Sequence, residues 1–191
     1  VSADADLEAM LRLKGGDDLA LNELMSRWQR PLVSFILRYT GNEQDALDLA
    51  QETFLRVFES RARYEPRSKF STWLCAIAAN LCRNQARWRE RHPTVTLHGS
   101  DGEDDRGLEN SLAAPGGTPA DNAERHDLAS AVRAHIQALP HDLRTAVILF
   151  EYHELGHEEI AATLGCTAKA VETRLYRARK ILGDALARWK I

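Results

Sequence analysis

Two clusters in this chain of 191 residues have residue types and spacings that could do chemistry. The first is a literal H-E-x-x-H, His153-Glu154-Leu155-Gly156-His157. On one continuous helix, histidines at i and i+4 share a face and can hold a zinc ion while the glutamate activates a metal-bound water. The second is a set of cations and hydroxyls on a helical period. With Val171 at zero and a step of 100° per residue, Lys169, Thr173, Tyr176, Arg177 and Lys180 fall on one side of a helix, and Val171, Leu175, Ala178 and Leu182 on the other. An outward face of that kind can bond base edges and phosphates in a major groove.

The elements around each cluster decide between the two chemistries. Gly156 is followed by His157 and the acidic pair Glu158-Glu159, the signature of a helix beginning, so His153 and His157 are expected to straddle an interhelical turn. No third ligand follows at zincin spacing: position 160 is Ile160, and the nearest acid beyond the turn is Glu172. A zinc metallopeptidase is therefore a remote alternative, and neither metal, cofactor nor catalytic residue is expected. Residues 158–182, EEIAATLGCTAKAVETRLYRARKIL, instead form two short helices about Gly165, with Ile160, Ala161 and Leu164 as the apolar face of the first. That is a helix-turn-helix, in which Ala161 and Gly165 are expected to allow a close helix crossing. Arg174 falls nearer the buried side and is expected to meet phosphate, Glu158 or Glu159. Glu172 leaves the recognised base open.

A formal net charge of −3 conceals a segregated distribution. Residues 168–190 carry seven Lys or Arg against two acidic side chains, whereas residues 100–127 carry eight acidic side chains against two Arg. The basic segments can meet phosphate while the acidic middle repels it. Cys75, Cys82 and Cys166 are odd in number, lie in apolar helical patterns and lack zinc spacing, so they are expected to be buried thiols in a reducing compartment. The acidic start VSADADLEAM is followed by no long apolar run, so neither membrane insertion nor a signal peptide is expected, and the cytoplasm is the implied location.

The expected architecture is all-α: two small helical domains joined by a flexible linker, the C-terminal one carrying the helix-turn-helix. Residues 1–91 break at Gly15-Gly16, at Gly41-Asn42 with Asn42 as N-cap, and at Tyr64-Glu65-Pro66, which leaves four helices. Pro31 is expected to bend or split the second. Residues 92–123 are rich in Gly, Pro, Asp and Ser without a period and form the acidic linker. In residues 124–191 the helical pattern resumes near Glu124, stops at Pro140 and continues to the end as about four helices. No alternation of β-branched residues marks a strand.

Two further strings complete the pattern. In DALDLAQETFLRVF, residues 45–58, Asp45, Asp48 and Glu52 make an acidic ridge beside Leu49, Phe54, Val57 and Phe58, a surface suited to a protein partner. Arg61, Arg63, Tyr64, Arg67 and Lys69 then lead into FSTWLCAIAANLCRNQARWRER, residues 70–91, where cations alternate with aromatics as separated nucleic-acid strands require. In this order, ahead of a linker and a helix-turn-helix ending RLYRARKIL, the strings resemble the extracytoplasmic-function (ECF) sigma factors of the sigma-70 family, the two-domain bacterial transcription initiation factors. The resemblance spans nearly the whole chain.

It implies a non-enzymatic factor that directs core RNA polymerase to promoters, responsive to stress or another signal. The implied core-polymerase contacts, to the beta and beta-prime subunits, are Asp45, Asp48, Gln51, Glu52, Thr53 and Phe54. Those to the −10 element are Arg63, Tyr64, Lys69, Phe70, Asn80, Arg83 and Arg87, with an extruded base cradled between Arg63 and Phe70. Promoter −35 DNA falls to Lys169, Thr173, Tyr176, Arg177 and Lys180. The resemblance also implies an anti-sigma factor that wedges between the two domains or wraps around them. The remaining alternative is a stand-alone helix-turn-helix regulator, which would need a receiver domain of alternating strands and helices where this chain has residues 4–91.

Overall fold

The computed structural model describes residues 3–66, 68–92 and 119–189, so most of the acidic stretch read as a linker, and Arg67, lie outside the described residues. The regular elements among those residues are all helical. They are α1 (Ala3–Lys14), α2 (Ala20–Thr40), α3 (Glu43–Ser60), a 3-10 turn at Arg61–Arg63, α4 (Phe70–Arg91), α5 (Pro119–Ala138), α6 (His141–Glu151), α7 (His157–Leu164), α8 (Ala168–Ala185) and a closing 3-10 turn at Ala187–Trp189.

Local chemistry sets most of the boundaries. The α2 helix stops at Gly41, whose φ of +71° is cheap only for glycine and lets its N–H reach the Leu37 carbonyl at 2.8 Å. Asn42 then caps α3, its Oδ1 accepting from the Asp45 N–H at 2.9 Å. Replacing Asn42 with alanine is expected to lower unfolding free energy by about 1 kcal/mol in a urea titration, because one α3 amide loses its acceptor. The α5 helix begins at Pro119 rather than near Glu124, consistent with proline's preference for the first helical turn.

Pro31 does not split α2, which runs unbroken from Ala20 to Thr40. A proline inside a helix costs about 3 kcal/mol. Leu24, Leu32, Val33, Phe35 and Ile36 are buried on either side of it, and each contributes roughly 1.5–3 kcal/mol, so packing outweighs the lost bond.

Helices α1 to α4 enclose one part of the core around Met10, Leu13, Phe35, Ile36, Val57 and Leu74. Buried Asp6 ties α1 to α2 by accepting from Arg27 and from the Trp28 indole at 3.0 Å. Helices α5 to α8 enclose the other part around Leu139, Ile148, Leu149, Ile160 and Val171.

The two groups pack against each other. Their cores merge into one cluster, with α6 and α7 seated on α2 and α4. Across this seam Tyr39 Oη lies 2.7 Å from His141 Nδ1, and Arg144 donates to the Tyr39 carbonyl at 3.1 Å. The Phe35 and His153 rings meet edge to face at 5.8 Å, and the Arg38 guanidinium lies 4.4 Å from the Tyr152 ring centre. Gly41 belongs to the seam too: a Cβ there would fall 2.1 Å from Gln137 Nε2.

Candidate nucleic-acid interface

The helix-turn-helix forms where its pattern places it. Gly165 ends α7 with φ +62°, and Thr167 caps α8 by accepting from the Ala170 N–H at 3.2 Å. A Cβ on Gly165 would meet nothing within 4 Å, so the residue answers to the left-handed turn and not to the close crossing expected of it. Val171, Leu175 and Ala178 are buried. Lys169, Thr173, Tyr176, Arg177 and Lys180 are all exposed on the opposite face, Tyr176 by 70%.

The surroundings of that face limit which of its groups are free to bond a ligand. Lys169 Nζ lies 2.7 Å from Glu172 Oε2 and holds the Glu172 carboxyl below its ordinary pKa, yet both are exposed and a phosphate can replace the pair. Thr173 spends its hydroxyl proton on the Lys169 carbonyl at 3.0 Å and keeps its acceptor capacity. Arg174 meets neither Glu158 nor Glu159. It bonds Asp142 Oδ2 at 2.8 Å and Cys166 Sγ at 2.9 Å, which pins α8 to α6 and sets the angle of the outer face.

The second basic surface is on α4 and the turn before it. Arg63, Asn80 and Arg87 are exposed. Lys69 and Arg83 are engaged across the seam, with Glu159 Oε1 at 2.7 Å and Asp142 Oδ1 at 3.1 Å. Tyr64 and Phe70 are buried and cannot take a base in this arrangement. The Tyr64 ring lies 5.1 Å from Trp73, and Phe70 lies edge-on 6.3 Å from Trp28 and 6.2 Å from Trp73. Burial raises the Tyr64 pKa. This aromatic cluster fixes the junction between the turn and α4, because ring packing there is worth more than exposure.

Asn84, not singled out from sequence, shares the exposed face of α4 with Asn80, Arg87, Arg91 and Trp88, one of the aromatics of the cationic string. Trp88 is 55% exposed and stacks on His92 at 4.9 Å. The i, i+4, i+7, i+8, i+11 spacing from Asn80 carried that information.

A third surface, on α3, is acidic and apolar. Asp48 and Gln51 are exposed, and Glu52 lies half-buried 2.8 Å from Arg56. Three expected members do not reach it. Thr53 and Phe54 are buried, the Thr53 hydroxyl donating to the Leu49 carbonyl at 2.7 Å. Asp45 is turned towards α4, with Arg89 Nη2 at 2.6 Å and Gln85 Nε2 at 3.1 Å. Leu47 and Leu55, 37% and 50% exposed, occupy the face instead, four residues either side of Gln51.

The H-E-x-x-H string is broken as a helix. The α6 helix ends at Glu151, Glu154 has a φ of +52°, and His157 opens α7. His153 turns inward to Phe35 while His157 stacks on Phe150 at 5.5 Å, so the rings share no face on which a zinc ion could sit.

Comparison with known proteins matches the chain to one family. Sigma-70 region 2 matches residues 24–92, and Sigma-70 region 4 matches residues 130–182. The chain is 31% identical over 190 residues to the RNA polymerase sigma-H factor of Pseudomonas aeruginosa, covering 97% of this chain and 96% of that one. It is 32% identical over 177 residues to the ECF RNA polymerase sigma-E factor of Haemophilus influenzae, covering 92% of each. A solved structure of the sigma factor RpoE with the anti-sigma factor NepR from Bartonella quintana shares the fold, with a TM-score of 0.65, 21% identity, and coverage of 87% of this chain and 96% of that one. The region 2 match accounts for α2 to α4, where a receiver-linked regulator would differ, and the chain belongs to the sigma-70 family as an ECF sigma factor, a transcription initiation factor and not an enzyme.

Proposed function

We propose that the three exposed faces divide promoter initiation between two domains, residues 1–91 and 124–191, joined by residues 92–123. The α3 face, Leu47, Asp48, Gln51, Glu52 and Leu55, docks on core polymerase, and Asp45, Thr53 and Phe54 support it from behind. The α4 face, with Arg63, Lys69, Asn80, Arg83 and Arg87, holds the −10 strands, and Tyr64 and Phe70 shape the loop that presents them. The outer face of α8, Lys169, Thr173, Tyr176, Arg177 and Lys180, reads the −35 duplex. The observation that carries the assignment is the segregation of exposed chemistry: apolar and acidic on α3, cationic and aromatic on α4 and α8.

The factor works in the cytoplasm beside polymerase; no helix among the described residues is long and apolar enough to cross a membrane. An anti-sigma partner fits a chain whose polymerase-facing α3 and DNA-facing α8 are both exposed while its two helical groups pack together. Such a partner would cover α3 and α8 from outside instead of wedging into the seam. Reconstitution tests the assignment: purified chain plus core polymerase is expected to yield promoter-specific transcripts from a genomic library, and core alone none. A chain that binds one promoter tightly but never elicits a transcript would instead be a stand-alone regulator.

A further inference from the structure

Two partly buried imidazoles lie where the two helical groups meet, each with its Nε2 out of reach of solvent. His141, at the start of α6, puts Nδ1 on the Tyr39 hydroxyl of α2 and leaves Nε2 buried without a hydrogen bond. His153, just past α6, packs against Phe35 of α2, and its Nε2 is likewise buried and unbonded. The charged groups facing His141 are Arg83 and Arg87 of α4 and Arg144 and Asp142 of α6, with the Asp142 carboxylate 3.8 Å from Nε2. That carboxylate is already shared by Arg83 and by Arg174 of α8, so little of its charge is left for an imidazolium. The Cys82 thiol of α4, close enough to Tyr39 to interact with it, is held neutral by burial. Facing His153 is the Arg38 cation of α2.

We propose that His141 and His153 form a proton-operated latch: the sigma factor is held closed while both rings are neutral, and acidification opens the seam between its two helical groups.

The physical basis is one-sided. A proton on either ring would bring a charge into a site with few partners and surrounding guanidinium groups, whereas in the opened chain water solvates it. Desolvation accordingly lowers both pKa values from 6.5 to about 4 in the closed form. The opened form therefore binds more protons between those limits. The closed form is fully favoured above pH 6.5 and loses ground as pH falls towards 4. From pH 7.5 to 5.5 the opening constant should rise about tenfold per histidine, and about 100-fold for the pair. Glu159, whose pKa is lowered chiefly by its bond from Lys69, stays ionised across that range, so the Lys69 bridge is not what yields to acid.

Opening would free Lys69 and Arg83 from Glu159 and Asp142, and only this consequence for DNA rests on the initiation reading. The conformational claim stands apart from it and is tested without polymerase or promoter. Small-angle X-ray scattering of the full chain at pH 7.5 and 5.5, with helicity followed by circular dichroism, is expected to show the radius of gyration rising from near the compact value for this length, about 16 Å, while helicity is retained. The H141Q/H153Q double variant, which cannot titrate at these sites, should lose that response.

An unchanged radius in the wild type, or an acid response undiminished in the double variant, would overturn the proposal. Should the double variant already be expanded at pH 7.5, imidazole NMR titration of the wild type decides. Two resonances that protonate late, together with the expansion, uphold the latch, and ordinary titration of both rings near 6.5 overturns it.

Discussion

A Leu47→Ala/Leu55→Ala double variant is expected to bind core polymerase about 100-fold more weakly, while its affinity for an isolated −35 duplex is unchanged. Both side chains are partly exposed on α3 with Gln51 between them, flanked by Asp48 and Glu52. Burying the exposed part of two leucines supplies on the order of 2–3 kcal/mol, and apolar anchors ringed by polar groups carry a disproportionate share of interface energy. Neither residue belongs to the fully buried core, so the circular dichroism melt should hardly move. Fluorescence anisotropy with labelled chain measures the loss. Glu52→Ala should act in the same direction but less, because Glu52 already shares its charge with Arg56. Retained polymerase affinity in the double variant would move the docking surface off α3.

Arg177→Ala should have its effect at the other end of the molecule. A bidentate guanidinium contact to guanine is worth roughly 1–3 kcal/mol, so the affinity of the holoenzyme for its −35 duplex should fall about ten- to 100-fold and discrimination at one base pair should flatten. Core binding should be untouched. Salt dependence separates base reading from phosphate neutralisation: loss of a phosphate contact lowers the slope of log affinity against log salt by about 1 and weakens all sequences alike. Lys180→Ala is expected to follow that second pattern. If Arg177→Ala left −35 discrimination intact, the recognition face would have to be redrawn about Lys169 and Thr173.

The helix period, the caps and the glycine breaks were legible in the sequence because each depends on chemistry within a few residues. Asn42 caps α3, Gly41 and Gly165 take left-handed turns, and the Val171 stripe faces inward while Arg177 faces out. The broken H-E-x-x-H was legible for the same reason, since Gly156 and the acids after His157 act locally. The family, too, was carried by the order of three local motifs.

Burial across elements was decided only by the tertiary structure. Tyr64 and Phe70 carry the same aromatic chemistry as a base-stacking surface, and their rings are buried because Trp28 arrives from α2 and Trp73 from α4. Asp45 fits the acidic ridge by spacing, yet Arg89 and Gln85 draw it towards α4. Arg174 has acids near it in sequence, yet its carboxylate comes from Asp142, 32 residues away. The seam itself, with Tyr39 on His141 and Phe35 on His153, joins partners more than 100 residues apart. A periodic pattern states which side of a helix is apolar; it does not state which other helix will cover it, and in this chain that pairing places two histidines and the cations of α4 against the second domain.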